Sequence, residues 1–130
     1  MNTASFNAAG LVDFTYQINR DGDIDFVFRD GVTDDTTGVT TYTDEDVTTS
    51  TWELFIKRYK GDREKLIDLT LGSGLSFPVY TTNTVNAAIT AVQSRVEEGE
   101  YWLELYNITT KQTRVAGRIV FSYFPDQLAR

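Results

Sequence analysis

The residues here that could do chemistry are carboxylates, because the 130-residue chain contains neither cysteine nor histidine. That removes cysteine nucleophiles, histidine triads, disulfides and the usual Cys/His zinc sites. Asn19, Asp21, Asp23 and Asp25 alternate as ligands do in a calcium loop. Such a loop needs glycine sixth and glutamate twelfth, and Ile24 and Asp30 stand there instead. Alternating acids on a solvated strand face are the simpler reading. Asp44-Glu45-Asp46 could hold a cation weakly, but carboxylates in a loop are ordinarily just solvated. Glu53 and Glu104 fall on neighbouring expected strands and point outward without a cleft between them, so glycoside hydrolysis lacks its opposed pair. Gly72-Ser73-Gly74 has no lysine and no following helix, so it reads as a turn rather than a phosphate loop. The expectation is a protein that is not an enzyme and uses no cofactor or metal.

Charge narrows the partners. The net charge is −7, and residues 30–53 carry seven acids and no base, while the remainder holds 12 of each sign. No cationic footprint is concentrated enough to expect nucleic-acid binding. An anionic membrane surface would repel the chain. No apolar run reaches about 18 residues, and the opening residues show no signal-peptide pattern. Asn107-Ile108-Thr109 matches a glycosylation sequon, which without secretion is a chance match.

The elements that must position these residues are strands. Phe14, Tyr16 and Ile18 alternate with Thr15, Gln17 and Asn19, and Ile24, Phe26 and Phe28 alternate with Asp25 and Val27. Asp21-Gly22 between them signals a hairpin, and a three-residue loop with Gly22 in the left-handed conformation would pair Tyr16 with Phe26. Residues 33–51 hold nine threonines and few apolar residues. That composition suits a long exposed loop or a solvent-facing hairpin turning at Asp44-Glu45-Asp46, with the hairpin favoured. Trp52, Leu54 and Ile56 mark a central strand. Short strands follow over 66–71 and 75–80, the second limited by Pro78 to a sheet edge or a strand end. Residues 85–96 fit a helix or a strand, and context favours a strand to Val92 followed by one helical turn. Residues 100–107 and 114–123 are strands with Tyr101, Leu103, Leu105, Ile119, Phe121 and Tyr123 inward.

Many short strands with turn signals and no long helix call for a sandwich or barrel. Glu98-Gly99-Glu100-Tyr101 resembles the tyrosine corner of immunoglobulin-like domains, in which a Tyr at a strand start bonds back to the chain. Phe26, Trp52 and Leu103 would then replace the inter-sheet disulfide by packing. The expected fold is an all-β, immunoglobulin-like antiparallel β-sandwich over 13–124, with the threonine-rich acidic insert at 33–51. A flexible arm over 1–12 precedes it and a tail over 125–130 follows. Phe6, Leu11 and Val12 near the arm, and the outward Trp102 and Tyr106, are the expected partner contacts.

Residues 52–123 resemble the immunoglobulin-like domains of tailed-bacteriophage virion proteins, including baseplate upper proteins and head-decoration proteins. The matching features are Ile67-Asp68-Leu69-Thr70, the Gly99-Glu100-Tyr101 step with Leu103 and Leu105, and Gly117 in the closing strand. The acidic insert and the lack of a glycine directly after Thr70 depart from that pattern. The resemblance implies a structural role in the virion, after synthesis in the host cytoplasm, with other capsid or tail proteins or further copies of the chain as partners. A head-associated decoration protein is the leading expectation. A tail or baseplate component that docks a receptor-binding protein is the second, and a carbohydrate-binding module using Trp102 and Tyr106 the third.

With no disulfide in reserve, the fold depends on its large core aromatics. Trp52→Ala and Phe26→Ala should each lower stability by roughly 3–5 kcal/mol in denaturant titrations. Midpoints indistinguishable from wild type would remove both residues from the core.

Overall fold

Each stretch with period-two alternation is a strand in the computed structural model, which describes the backbone of residues 2–6 and 10–123 and the side chains of 11–123. The strands among the described residues are β1 (Asn2–Phe6), β2 (Gly10–Gln17), β3 (Gly22–Thr33), β4 (Thr40–Asp44), β5 (Trp52–Lys57), β6 (Ile67–Leu71), β7 (Gly74–Ser76), β8 (Thr84–Ile89), β9 (Gly99–Asn107) and β10 (Gln112–Ser122). The expected inward sets are buried: Phe14, Tyr16 and Ile18; Ile24, Phe26 and Phe28; Trp52, Leu54 and Ile56; Tyr101, Leu103 and Leu105; Ile119 and Phe121. Tyr123 is the exception and is exposed. Residues 84–89 resolve the ambiguous segment as a strand, and one helical turn follows, closed by Ser94 N–H donating to the Thr90 carbonyl at 3.0 Å.

Hydrogen bonds link the strands in the order β1-β3-β8-β7-β6-β5-β9-β10-β2, with β4 attached to β3 off that path. The result is an all-β mixed sheet curled into a half-barrel around the core. Chain connectivity requires the curl. Phe6 and Gly10 end and begin strands at opposite ends of the path, yet four residue steps span at most about 14 Å. The sequence reading expected two antiparallel layers, whereas the pairing is continuous and three of its contacts are parallel: β1 with β3, β6 with β7, and β2 with β10. Gly72 (φ +83°) and Gly74 (φ +102°) carry the ladder round between β6 and β7, in a left-handed conformation that favours glycine.

The expected β2–β3 hairpin does not form. β2 lies beside β10, and β3 lies between β1 and β8. Phe14 and Phe26 meet across the core instead, edge to face at 5.9 Å between ring centroids. The left-handed residue is Asn19 (φ 63°) and not Gly22. The connection is tied to a distant turn, since the Ser94 hydroxyl accepts from Asn19 N–H at 2.8 Å and Arg20 N–H at 3.2 Å. Gly22 serves a different purpose. A Cβ there would come within 2.7 Å of the Tyr16 hydroxyl, which donates to the Ile89 carbonyl at 2.9 Å.

The acidic insert forms an exposed hairpin, but it turns at Asp34–Val39 rather than at Asp44-Glu45-Asp46. β4 pairs with the outer half of β3 from Arg29↔Asp44 to Thr33↔Thr40. Asp34 Oδ1 accepts from Thr36 N–H at 2.7 Å, and Gly38 (φ 73°) closes the turn. Residues 30–44 are exposed on both faces of this ribbon. Its base is fastened to the body. Arg114 grips Glu45 through two hydrogen bonds of 2.8 and 3.0 Å and lies over the Phe28 ring, while Trp52 Nε1–H donates to the buried Val47 carbonyl at 2.9 Å. Of the expected arm over 1–12, residues 2–6 are β1 and residues 10–12 open β2. The expected tail over 125–130 lies outside the described residues.

β2 approaches β10 so closely that position 117 admits no side chain. A Cβ on Gly117 would fall on the Val12 carbonyl oxygen and lie 2.6 Å from Val12 N. These are backbone atoms held in the ladder and cannot swing away. Gly117→Ala should lose at least about 1–3 kcal/mol, the usual range for overpacking. Gly61→Ala, with nothing within 4 Å of its Cβ and no positive φ, should be near neutral. Equal melting temperatures for the two variants would show that β2 is not docked there.

Candidate functional site

Residues alternate across β2, β10, β9 and β5 so that one face looks outward. Register sets Asp13, Arg118, Trp102 and Lys57 in one cross-strand row. Leu11, Ala116, Glu104 and Phe55 form the next row, and Tyr106 pairs with Glu53 beyond it. Three of the expected contact residues, Leu11, Trp102 and Tyr106, therefore share this outer face. Leu11 is 84% exposed, while Trp102 and Tyr106 are half-buried. Val12 points the other way and packs against the core. Phe6 lies in β1, and its side chain is outside the described residues.

The end of this face bearing Trp102 opens into a groove of about 420 Å³ lined by Arg58, Tyr59, Lys60, Glu100, Tyr101, Trp102 and Arg118. The chain builds it by following β5 with a charged loop that folds over the start of β9. Arg58 lies 4.7 Å from the Tyr101 ring centroid, and its Nη1 donates to the Glu100 carbonyl at 3.1 Å. Lys60 Nζ lies 5.2 Å from the centroid of Trp102. Cations over aromatic faces are favoured by the ring quadrupole. Arg118 is held by Asp13 at 2.6 Å and by Glu100 at 2.9 Å, which keeps its guanidinium ionised and lowers the Asp13 pKa. Lys60 has no carboxylate within salt-bridge distance among the described residues. The buried Trp102 Nε1–H finds no acceptor there.

Composition had argued against a concentrated cationic footprint, and the structure modifies that. Residues 57–65 hold five of the chain's 12 basic side chains, Lys57, Arg58, Lys60, Arg63 and Lys65, against Asp62 and Glu64. That density was present in the sequence. Arg118 joins them only through the β9–β10 register, which no local pattern reveals. The grouping can hold an acidic or aromatic segment by charge and stacking.

Several of the carboxylates considered for chemistry are held by neighbouring side chains. The Asn86 side-chain amide donates to Asp23 at 3.1 Å and to Asp25 at 2.7 Å. Glu53 receives Lys65 Nζ at 2.8 Å, and Glu104 lies opposite Phe55 rather than across a cleft from Glu53. Phe55 is covered by Lys57 and Lys65, whose ammonium groups lie 4.9 and 4.8 Å from its ring centroid. In comparisons with known proteins, no family model and no curated protein matches this chain.

Beside that cluster, partial desolvation of the otherwise exposed Asp68 raises its carboxyl from the ordinary 3.8 to about 6, and the neighbouring Glu53 pushes the same way through hydrogen bonding and repulsion. Burial would raise Glu53 too, but hydrogen bonds with Asp68 and Lys65 prevail and lower it. From about pH 4 to pH 6 the folded chain therefore keeps a proton on Asp68 that the unfolded chain releases, so this group's contribution to stability falls as pH rises through the window. Relative to wild type, Asp68→Asn should gain melting temperature steadily from about pH 4 to pH 6, then level off. A difference that is flat across the whole range would mean that Asp68 titrates as a solvated carboxylate.

Proposed function

We propose that the protein is a structural component of a tailed-bacteriophage virion, a head-associated accessory module that acts by docking in many copies. The observation that carries this reading is the hairpin of residues 30–44. Two-stranded ribbons are marginal on their own in water. This one exposes Val32, Val39 and Tyr42 at 68%, 60% and 55% while standing outside the core. A body that fastens such a ribbon at its base presents it for contact.

An immunoglobulin-like reading of the body is supported by connectivity. β3 pairs with β8, β5 with β9, β9 with β10, and β2 runs parallel to β10. The Tyr101 hydroxyl donates to the Glu97 carbonyl four residues back at 2.5 Å, as a tyrosine corner does. Trp52 is fully buried beside Phe28. Rigid modules of this kind, repeated by symmetry, gain avidity without large interfaces.

The test is incorporation. Peptides of this chain should be found in particles purified from the encoding phage, and electron microscopy with a tagged copy should place them on the head. Density on the baseplate would favour the tail reading, and absence from particles would end both. A variant with residues 31–43 replaced by a short Gly-Ser turn should melt within a few degrees of wild type yet fail to incorporate.

A further inference from the structure

Charge is segregated along the strands in a way that docking to a foreign partner does not require. The acidic hairpin leaves the body at one end, where Phe28, Trp52 and Val47 meet. The groove of Arg58, Tyr59, Lys60 and Trp102 lies at the other, beyond Lys57 at the far end of β5. A six-residue strand separates them, about 17 Å at 3.3 Å per residue. The hairpin extends away from β5, so it cannot fold back into the groove of its own chain. Any contact between them is made in trans.

We propose that the tip of the β3–β4 hairpin of one copy docks into the cationic, aromatic groove of a second copy, giving head-to-tail association. The tip, Asp34-Asp35-Thr36-Thr37-Gly38-Val39, carries carboxylates, small residues and one apolar side chain, and no base. Asp35 makes no hydrogen bond or ion pair among the described residues. The groove offers the complement. Lys60 has no carboxylate within salt-bridge distance among the described residues, and Tyr59 is 66% exposed. Two different patches meet, so the contact is heterologous and leads to rings or open arrays rather than an isolated dimer. The contact is independent of the virion reading, since it needs only two copies of the chain.

Sedimentation velocity at low and high ionic strength tests it. The full chain should form species larger than a dimer at low salt and dissociate as salt is raised, because charge complementarity at exposed sites is screened. Lys60→Gln and the double variant Asp34→Asn/Asp35→Asn, whose amide oxygen at position 34 can still accept the turn's hydrogen bonds, should each weaken association roughly tenfold or more while keeping the wild-type melting temperature. Mixing the two variants is the decisive arm. The first retains an acidic hairpin and the second a basic groove, so an equimolar mixture should form a one-to-one dimer that grows no further. A wild-type chain that stays monomeric at low salt, or a mixture that stays monomeric, overturns the proposal. So does an oligodeoxythymidine that binds wild type, loses affinity with Lys60→Gln and leaves no self-association, since that assigns the groove to single-stranded nucleic acid.

Discussion

The backbone of Val12 lies against Gly117 with no room for a side chain between them, and the arrangement of the whole core depends on that approach. It lays β2 along β10 in parallel, over the register from Gly10↔Val115 to Gln17↔Ser122. Tyr16 is thereby set against Phe121 on the neighbouring strand, and Phe14 against Phe26, whose strand lies near the other end of the pairing path. Phe121 in turn meets Tyr101 edge to face. The aromatic contacts that fill the curled sheet thus follow from one backbone contact between strands about a hundred residues apart in sequence. Without cysteine, packing and pairing alone maintain it.

The outer face shows how the same chain covers aromatics that point away from its core. Phe55 and Trp102 point away from the core, yet Lys57, Lys65 and Lys60 lie over them. Long basic side chains cover apolar surface with their stems while their charges remain in water. Such covers are movable, unlike a neighbouring strand. A surface of this kind is quiet towards water and still able to exchange its lysines for a partner's groups.

What the sequence made legible was the side of each strand that faces inward, because alternation has the same period as the strand. Trp102 and Tyr106 were placed outward on that basis, and the Tyr101 corner was visible as a local spacing. Strand partners were not legible, since Asp21-Gly22 looks the same whether the chain doubles back or crosses to the far edge. The difference lies in Ser94, more than seventy residues away, which binds the Asn19 and Arg20 amides. The acidic hairpin was expected, but its turn was set by Asp34 and Gly38 rather than by the densest acids. Arg118 entered the groove only through register, and Val12 turned inward because it stands opposite Gly117.

The parallel β2–β10 pair also has a mechanical meaning. β2 leads from the amino-terminal side and β10 leads to the carboxy-terminal side, so a pull through Gly10 and Ser122 drags the two strands past each other lengthwise. Their hydrogen bonds are then loaded together in shear, whereas an antiparallel pair pulled from adjacent ends would unzip one bond at a time. Tension along the chain is borne by the same ladder that closes the core.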